Sequence, residues 1–531
     1  MRISRRTMLA STAAGAAGLA LATPGRLLAQ QGTDTIRLAV SASGPRELDP
    51  IRIAIGADFW VSEQIHENLV SSPDGTFATE NDEFEPTLAE SWTVSDDART
   101  WTFVLREGVQ FHGGYGEVTP DDVIFSFQRN KDEGNSAEIY AHIESMEATG
   151  DREVTFNLSS PDPLFLGAVV SQMTSKIVSR AAVEELGEDY SYTGIGTGPY
   201  KVDNFDSQTG VFLSRFDDYW GEPAQTANVE ILHIADTTAP TLAAISGDVD
   251  MIEAVRSPGW IAQIQNQAPS LIIDRTTPGS FNTLHINLTH EPFDDLKVRQ
   301  ALAHSIDREA MAAALAPLAD PSWTFSPPGY PTGFAEEDIP EELRYSYDPE
   351  RARQLLAEAG HEDGVSFSTA ISQREDYASI MMILQEMIRP AGFDMQLEVI
   401  EHSSYHARIR EDANTLSLYS ASYPPVPMYY FTRYLNSSAE VQADSSGGLN
   451  LSHYGVAMPG VDEKLAEMAN ATTLEEYYAI GREIELQVQR DLPIIELVTL
   501  GYTVMRNPRI ELGYEVQGGY ARWPLDRAVK S

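Results

Sequence analysis

Stretches of two-residue hydrophobic period alternate along the chain with stretches of helical period. Residues 35–41 read as a first strand, ended by the turn Ser43-Gly44-Pro45. Residues 59–70 have helical period. Trp101, Phe103 and Leu105 fall on one face of a strand over 101–106, and residues 154–158 alternate in the same way. A helix is predicted over 121–130, with Thr119 as its cap and Pro120 at its first position. A strand over 229–235 is followed by a helix over 238–246 and a turn at Gly247-Asp248. The second half is more helical. Val298, Leu302 and Ile306 are spaced four apart behind Asp294 or Asp295 as cap, Asp348-Pro349 opens a helix that Gly360 stops, and Thr473 to Glu476 fits a capping box before a helix reaching about Arg490. Alternation of this kind is the mark of α/β construction. Neither an internal repeat nor a low-complexity linker is visible, so domains here are joined by several chain crossings.

Composition narrows the function classes. The 531 residues include 37 Lys+Arg against 79 Asp+Glu and no cysteine. At about 150 residues per domain this is room for about three domains. The net charge of −42 argues against nucleic-acid binding, which needs clustered cations, and disfavours anionic membrane surfaces. The lack of cysteine removes disulfides, thiolate metal sites, Cys nucleophiles and lipid attachment through Cys.

The amino-terminal segment reads as an address. Arg2, Arg5 and Arg6 precede an Ala/Gly-rich apolar stretch, with no acid before Asp34. That stretch is shorter and milder than the ~20 apolar residues a spanning helix needs. Ser4-Arg5-Arg6-Thr7-Met8-Leu9 resembles a twin-arginine export motif; a chance Arg pair before an ordinary secretory signal is the other reading. Cleavage after Ala29 is favoured over cleavage after Ala22. Removal of residues 1–29 takes four Arg with it and leaves 33 basic against 79 acidic residues, net −46. The expected product is exported, soluble, periplasmic, monomeric and free of a lipid anchor.

No catalytic signature emerges. G-x-S-x-G, H-E-x-x-H and P-loop patterns are missing, and Gly194-Ile195-Gly196-Thr197-Gly198 runs into Pro199 where a phosphate-binding helix would begin, so it reads as a structural turn. His402 and His406 have the i, i+4 spacing of a shared metal site; no third ligand accompanies them, and two polar groups on one helix face is the alternative. No cofactor is expected. With 79 acids, carboxylate spacing alone cannot identify a glycosidase.

Residues 89–125 carry a more specific signal. Ala89-Glu90-Ser91-Trp92, Trp101 to Val109, Phe111-His112-Gly113 and Thr119-Pro120-Asp121-Asp122-Val123 occur in that order. Gly196-Thr197-Gly198-Pro199-Tyr200, Pro292-Phe293-Asp294-Asp295, Ile306-Asp307-Arg308, Tyr347-Asp348-Pro349 and Leu355 to Gly360 follow. The series resembles family 5 of the bacterial extracellular solute-binding proteins, the dipeptide-, oligopeptide- and nickel-binding components of ABC importers. The resemblance implies an α/β periplasmic binding protein fold of two lobes, with an extra inserted domain and hinge strands between lobes. It implies a first lobe of 30–68, 186–284 and 491–531 carrying an inserted domain at 69–185, a second lobe of 285–490, and hinges near 282–287 and 493–497. It also implies capture of a peptide-like or other small organic solute and delivery to the permease subunits of an importer. A secreted hydrolase acting on peptides or glycans is the rival reading; a metal receptor or a peptide-loading chaperone on the same fold is a third.

Peptide-binding relatives hold the ligand's α-amino group with an Asp in a Gly-Trp-x-x-Asp-Tyr-type stretch. In the matching stretch here, Tyr419 stands for the Trp, Ser422 for the Asp, and Tyr423 is kept. A hydroxyl supplies no charge, so a ligand with an ion-paired ammonium is disfavoured. His402, Tyr405 and Arg408, with Trp60, Ser41 and Ser43 from the facing lobe, complete the expected ligand-binding set. Trp60 and Tyr405 read equally as core, and Arg408 as a surface charge. An aromatic, weakly charged cleft of this kind suits sugars, glycosides or modified amino-acid conjugates.

Overall fold

The computed structural model describes residues 34–40, 44–53, 56–234, 238–442, 444, 447–518 and 522–531. Residues 1–29, read from the sequence as an export signal, and Ser41 and Ser43 lie outside them. One nine-stranded sheet organises the molecule. Its order is Leu416–Ser422, Ile272–Ile286, Ile494–Arg506, Met251–Glu253, Thr35–Ala39, Asn228–Leu232, Gly210–Arg215 and Tyr200–Asp206, with Ala319–Pro321 also paired to Ile494–Arg506. Thr35–Ala39 runs parallel to both neighbours, which are themselves joined through the helix Ala239–Ser246.

Two members of this sheet are long, at 15 and 13 residues. At about 3.3 Å per residue the longer reaches roughly 45 Å, enough to leave one core and enter another. Ile273 and Met505 pack with Ala39, Ala244 and Ile252, whereas Tyr502 and Val504 join Trp60 and Trp523. Farther along the same two strands, Leu284, Ile286, Ile495 and Leu497 belong to a core with Val298, Leu302, Ile380 and Leu418. The antiparallel pairing slips between Thr276 and Ser280 and again between Asn282 and Thr283. At the second slip Asn282 is fully buried; its amide donates to the Ser280 and Val498 carbonyls, and its backbone N–H donates to Glu496 Oε1 at 3.2 Å. Two lobes joined by crossing strands result.

A separate antiparallel sheet of Ala89–Val94, Thr100–Leu105, Glu153–Leu158 and Ile143–Gly150 carries its own core. Trp101, Phe103 and Leu105 are buried while the intervening Thr and Val are half-buried, as the period-two pattern predicts. The helix Pro120–Glu133 covers this sheet and starts in a full capping box between Thr119 and Asp122. Phe127 meets Phe156 edge to face at 4.9 Å. The glycine-rich turn has a packing cause. A Cβ on Gly196 would stand 1.9 Å from the Ile65 carbonyl oxygen, and one on Gly198 2.7 Å from that of Gln64. Only residues without a side chain let this turn lie against the end of the helix Gly56–Ile65.

In the second lobe Asp295 caps Leu296–His304, Asp348 caps Pro349–Glu358, and Thr473 caps Leu474–Asp491. Two details differ from the sequence reading. Ile306 lies beyond its helix but still fills the same core, and the Glu476 carboxylate accepts from the Thr472 N–H rather than from that of Thr473. A second cluster of this lobe is aromatic and includes Phe281, Phe325, Tyr330, Tyr423, Tyr430 and Tyr434. Among the described residues no helix is long and apolar enough to cross a membrane.

Candidate functional site

The end of the strand Leu416–Ser422 delivers Ser422, Tyr423, Pro424 and Pro425 to a 280 Å³ chamber in the seam between the lobes. Proline at 424 and 425 cannot continue the ladder, so the chain leaves the sheet here and turns into the helix Pro427–Tyr434, which adds Tyr429. The opposite wall comes from the first half of the chain. It includes Phe59, Phe77, Phe84 and Leu164, with Ser72, Ser136, Gln172 and Thr174 as polar groups, and Arg522 from the carboxy-terminal segment. Among the described residues, Arg522 is the only formally charged side chain of this lining, and no carboxylate belongs to it. Cavities of 640 Å³ and 490 Å³ adjoin it; the first shares Ile139, Val426 and Tyr429 with the chamber, the second Phe77 and Pro425.

Tyr423 forms a rigid floor. Its ring packs against Phe281 and Tyr430 at 5.5 and 5.6 Å, its hydroxyl meets that of Tyr434, and its carbonyl accepts from Tyr330 Oη at 2.5 Å. Beneath it, Tyr430 Oη and Ser326 Oγ lie 2.6 Å apart, and the fully buried Glu485 accepts from the Phe325 and Ser326 N–H groups at 2.9 and 2.8 Å. Burial outweighs these hydrogen bonds and pushes the Glu485 carboxyl up to about 8. Across the seam, Tyr478 Oη donates to the Thr79 carbonyl at 2.5 Å, and Arg433 faces Glu138 at 3.8 Å.

Several expected ligand contacts stand elsewhere. Trp60 is 1 % exposed, stacks on Trp523 at 5.7 Å and donates to Tyr502 Oη, so it is core. Tyr405 is fully buried and donates to the Leu418 carbonyl at 2.6 Å. Arg408 points outward and pairs with Glu398 at 2.7 Å. His402 sits against Ser372 and Arg374 behind the strand rather than in the chamber, and burial lowers its pKa. Tyr419 is half-buried opposite Thr283, packed on His285, His406 and Tyr434. Ser422 and Tyr423 reach the chamber. Ser41 and Ser43 fall outside the described residues. His402 and His406 meet edge to face at 4.6 Å, yet among the described residues no group of three or more His, Asp or Glu assembles into a metal site. The wall residues Phe59, Phe77, Phe84, Tyr429 and Arg522 escaped the sequence reading; for Tyr429, proximity to the Tyr423-Pro424-Pro425 turn was the available signal.

Comparison with known proteins agrees with this architecture. The chain is 27% identical over 391 residues to the glutathione-binding protein GsiB of Shigella flexneri, covering 70% of this chain and 74% of the relative. It is 28% identical over 402 residues to the dipeptide-binding protein of Escherichia coli, covering 70% and 73% respectively. The crystal structure of MoaA from A. tumefaciens R10 with mannopinic acid superposes with a TM-score of 0.76 at 26% identity, over 94% of this chain and 99% of that one. Residues 83–442 match the model of the middle region of the bacterial extracellular solute-binding proteins, family 5. Together with the two lobes and the chamber in their seam, that match over more than half its length makes the chain a member of this family.

Proposed function

We propose that the protein is the solute receptor of an ABC importer: it captures a small organic solute in the central chamber by closure of the two lobes and hands it to the membrane permease. The observation that carries this reading is the chamber itself, whose walls come from distant halves of the chain and meet only in the seam. Rotation about the crossing strands, with turning points near 282–287 and 493–497, would open it. Segregation of the buried apolar residues supports an inserted domain at 69–185 on a first lobe of 30–68, 186–284 and 491–531, facing a second lobe of 285–490. Ser422 and Tyr423 contact the solute, and Tyr419 backs them. Related proteins are named for dipeptide and glutathione, and one is solved with mannopinic acid. Here the carboxylate-free lining favours a solute without an ion-paired ammonium, which would be costly to desolvate alone. Binding and closure, with no bond made or broken, complete the role.

Small-angle scattering with and without solute eluted from the purified protein tests the receptor reading. The expected result is a smaller radius of gyration with solute; turnover of the solute, or no compaction with any solute, would remove it. Export to the periplasm through the twin-arginine route, as a soluble monomer, is tested separately. Arg5→Lys/Arg6→Lys is expected to abolish periplasmic accumulation, and unchanged levels would assign the segment to the general secretory route.

A further inference from the structure

The polar groups of the central chamber are unevenly matched. Its hydroxyls and the Gln172 amide are neutral, its body is aromatic, and its single charge among the described residues is the Arg522 guanidinium. Arg522 has two carboxylates nearby, Glu63 Oε1 at 3.3 Å from Nε and Asp74 Oδ1 at 3.8 Å from Nη2. Neither is its own. Glu63 takes a hydrogen bond from Lys176 Nζ at 3.1 Å, and Asp74 is in tight contact with Arg527. The Arg522 Nε–H is buried without a hydrogen-bond partner, so the Glu63 contact attracts without being aligned. Asp526 also lies within electrostatic reach, but burial is the largest influence on its carboxyl and raises its pKa. A guanidinium carries five donors in a planar fork that matches a carboxylate two-by-two. Held at a chamber wall with unused donor capacity, it is a receptor for an anion.

Resting on the receptor reading, we propose that the chamber takes a small solute carrying one carboxylate, which docks on Arg522 with its apolar body among Phe59, Phe77, Phe84 and Tyr429. The 280 Å³ of the chamber suits a solute of the size of a modified amino acid or short conjugate. A dianionic phosphate would need a second cation, and the lining holds none among the described residues. A cationic solute would find no carboxylate to pair with among the described residues of the lining. Arg522 is thus a specificity-determining residue supplied by the carboxy-terminal segment to a site whose opposite wall is the 422–429 turn.

Calorimetry with three matched probes tests this: N-acetyltyrosine (anion), its primary amide (neutral) and tyrosinamide (cation). Each is titrated into the native chain and into Arg522→Gln and Arg522→Lys, whose melting without probe is checked first. The acid is expected to bind about tenfold to a hundredfold tighter than the amide, the value of a charge-assisted hydrogen bond. Arg522→Gln should bring the two within about twofold, and Arg522→Lys should restore part of the preference, since it keeps the charge but not the fork. The proposal is overturned if the acid does not bind, if the amide or cation binds as tightly, or if the preference survives in Arg522→Gln. Compaction in scattering by the eluted solute, where that solute proves neutral or cationic, would leave the receptor reading standing and this one refuted.

Discussion

Trp60→Ala is expected to destabilise the first lobe by about 3–5 kcal/mol, the range for deleting a large buried aromatic. The indole is 1 % exposed, lies face to face with Trp523 and holds a hydrogen bond to Tyr502 on a crossing strand. Truncation leaves a cavity between the helix Gly56–Ile65 and the carboxy-terminal segment, and removes the Trp60 hydrogen bond to the Tyr502 hydroxyl. Chemical denaturation should show an early transition for this lobe, since lobes with separate cores need not unfold together. The near-ultraviolet circular dichroism of the stacked indole pair should disappear. Unchanged unfolding accompanied by lost solute binding would instead put the ring in the cleft.

A second large effect is expected at Glu485. Replacing it with alanine strands the Phe325 and Ser326 N–H groups in a dry interior, at about 1–3 kcal/mol for each unsatisfied group, while the Ser326 hydroxyl loses one of its partners and keeps Tyr430 and Thr332. Because Ser326 meets Tyr430, which packs on Tyr423, the loss should reach the chamber floor and weaken solute binding as well as stability. The same carboxyl predicts a pH dependence. Its folded pKa, raised by burial to about 8, exceeds the unfolded value near 4.5, so the folded state binds more protons between them. Its contribution is therefore fully present below pH ~4.5 and is lost as pH rises through ~8, a span on the order of 4–5 kcal/mol at ~1.36 kcal/mol per pH unit. Glu485→Gln, which cannot ionise, should flatten the fall of second-lobe stability over this window. An equally steep fall in Glu485→Gln would show that other groups set it.

Elements governed by local chemistry were legible in the sequence. Thr119 with Pro120 announced a helix start, and the Trp101, Phe103, Leu105 alternation announced a one-sided strand; both depend only on neighbours a few residues away. The long strand Ile272–Ile286 was not legible as one element. It changes cores midway, its register slips twice, and Asn282, Thr283 and His285 are buried polar groups, so no single alternation runs through it. The chamber divides in the same manner. Ser422 and Tyr423 could be located because the stretch around them resembles a family motif. Arg522 could not, because nothing beside it in sequence marks it and its neighbours Glu63 and Asp74 are more than 400 positions away. Trp60, Tyr405 and Arg408 show the limit of reading residue type without facing: aromatic rings on a helix serve a core as readily as a cleft.

The contacts that span the seam bear on how faithfully such a receptor reports its own occupancy. Tyr478 bonded to Thr79, and Arg433 facing Glu138, join the halves without involving a solute. Each favours the shut form whether filled or empty. One neutral hydrogen bond of about 1 kcal/mol multiplies the empty shut population about fivefold while that population is small, and raises apparent affinity by the same factor. Tighter capture and a truthful signal of loading thus pull in opposite directions. Tyr478 sets the balance between them without touching the solute.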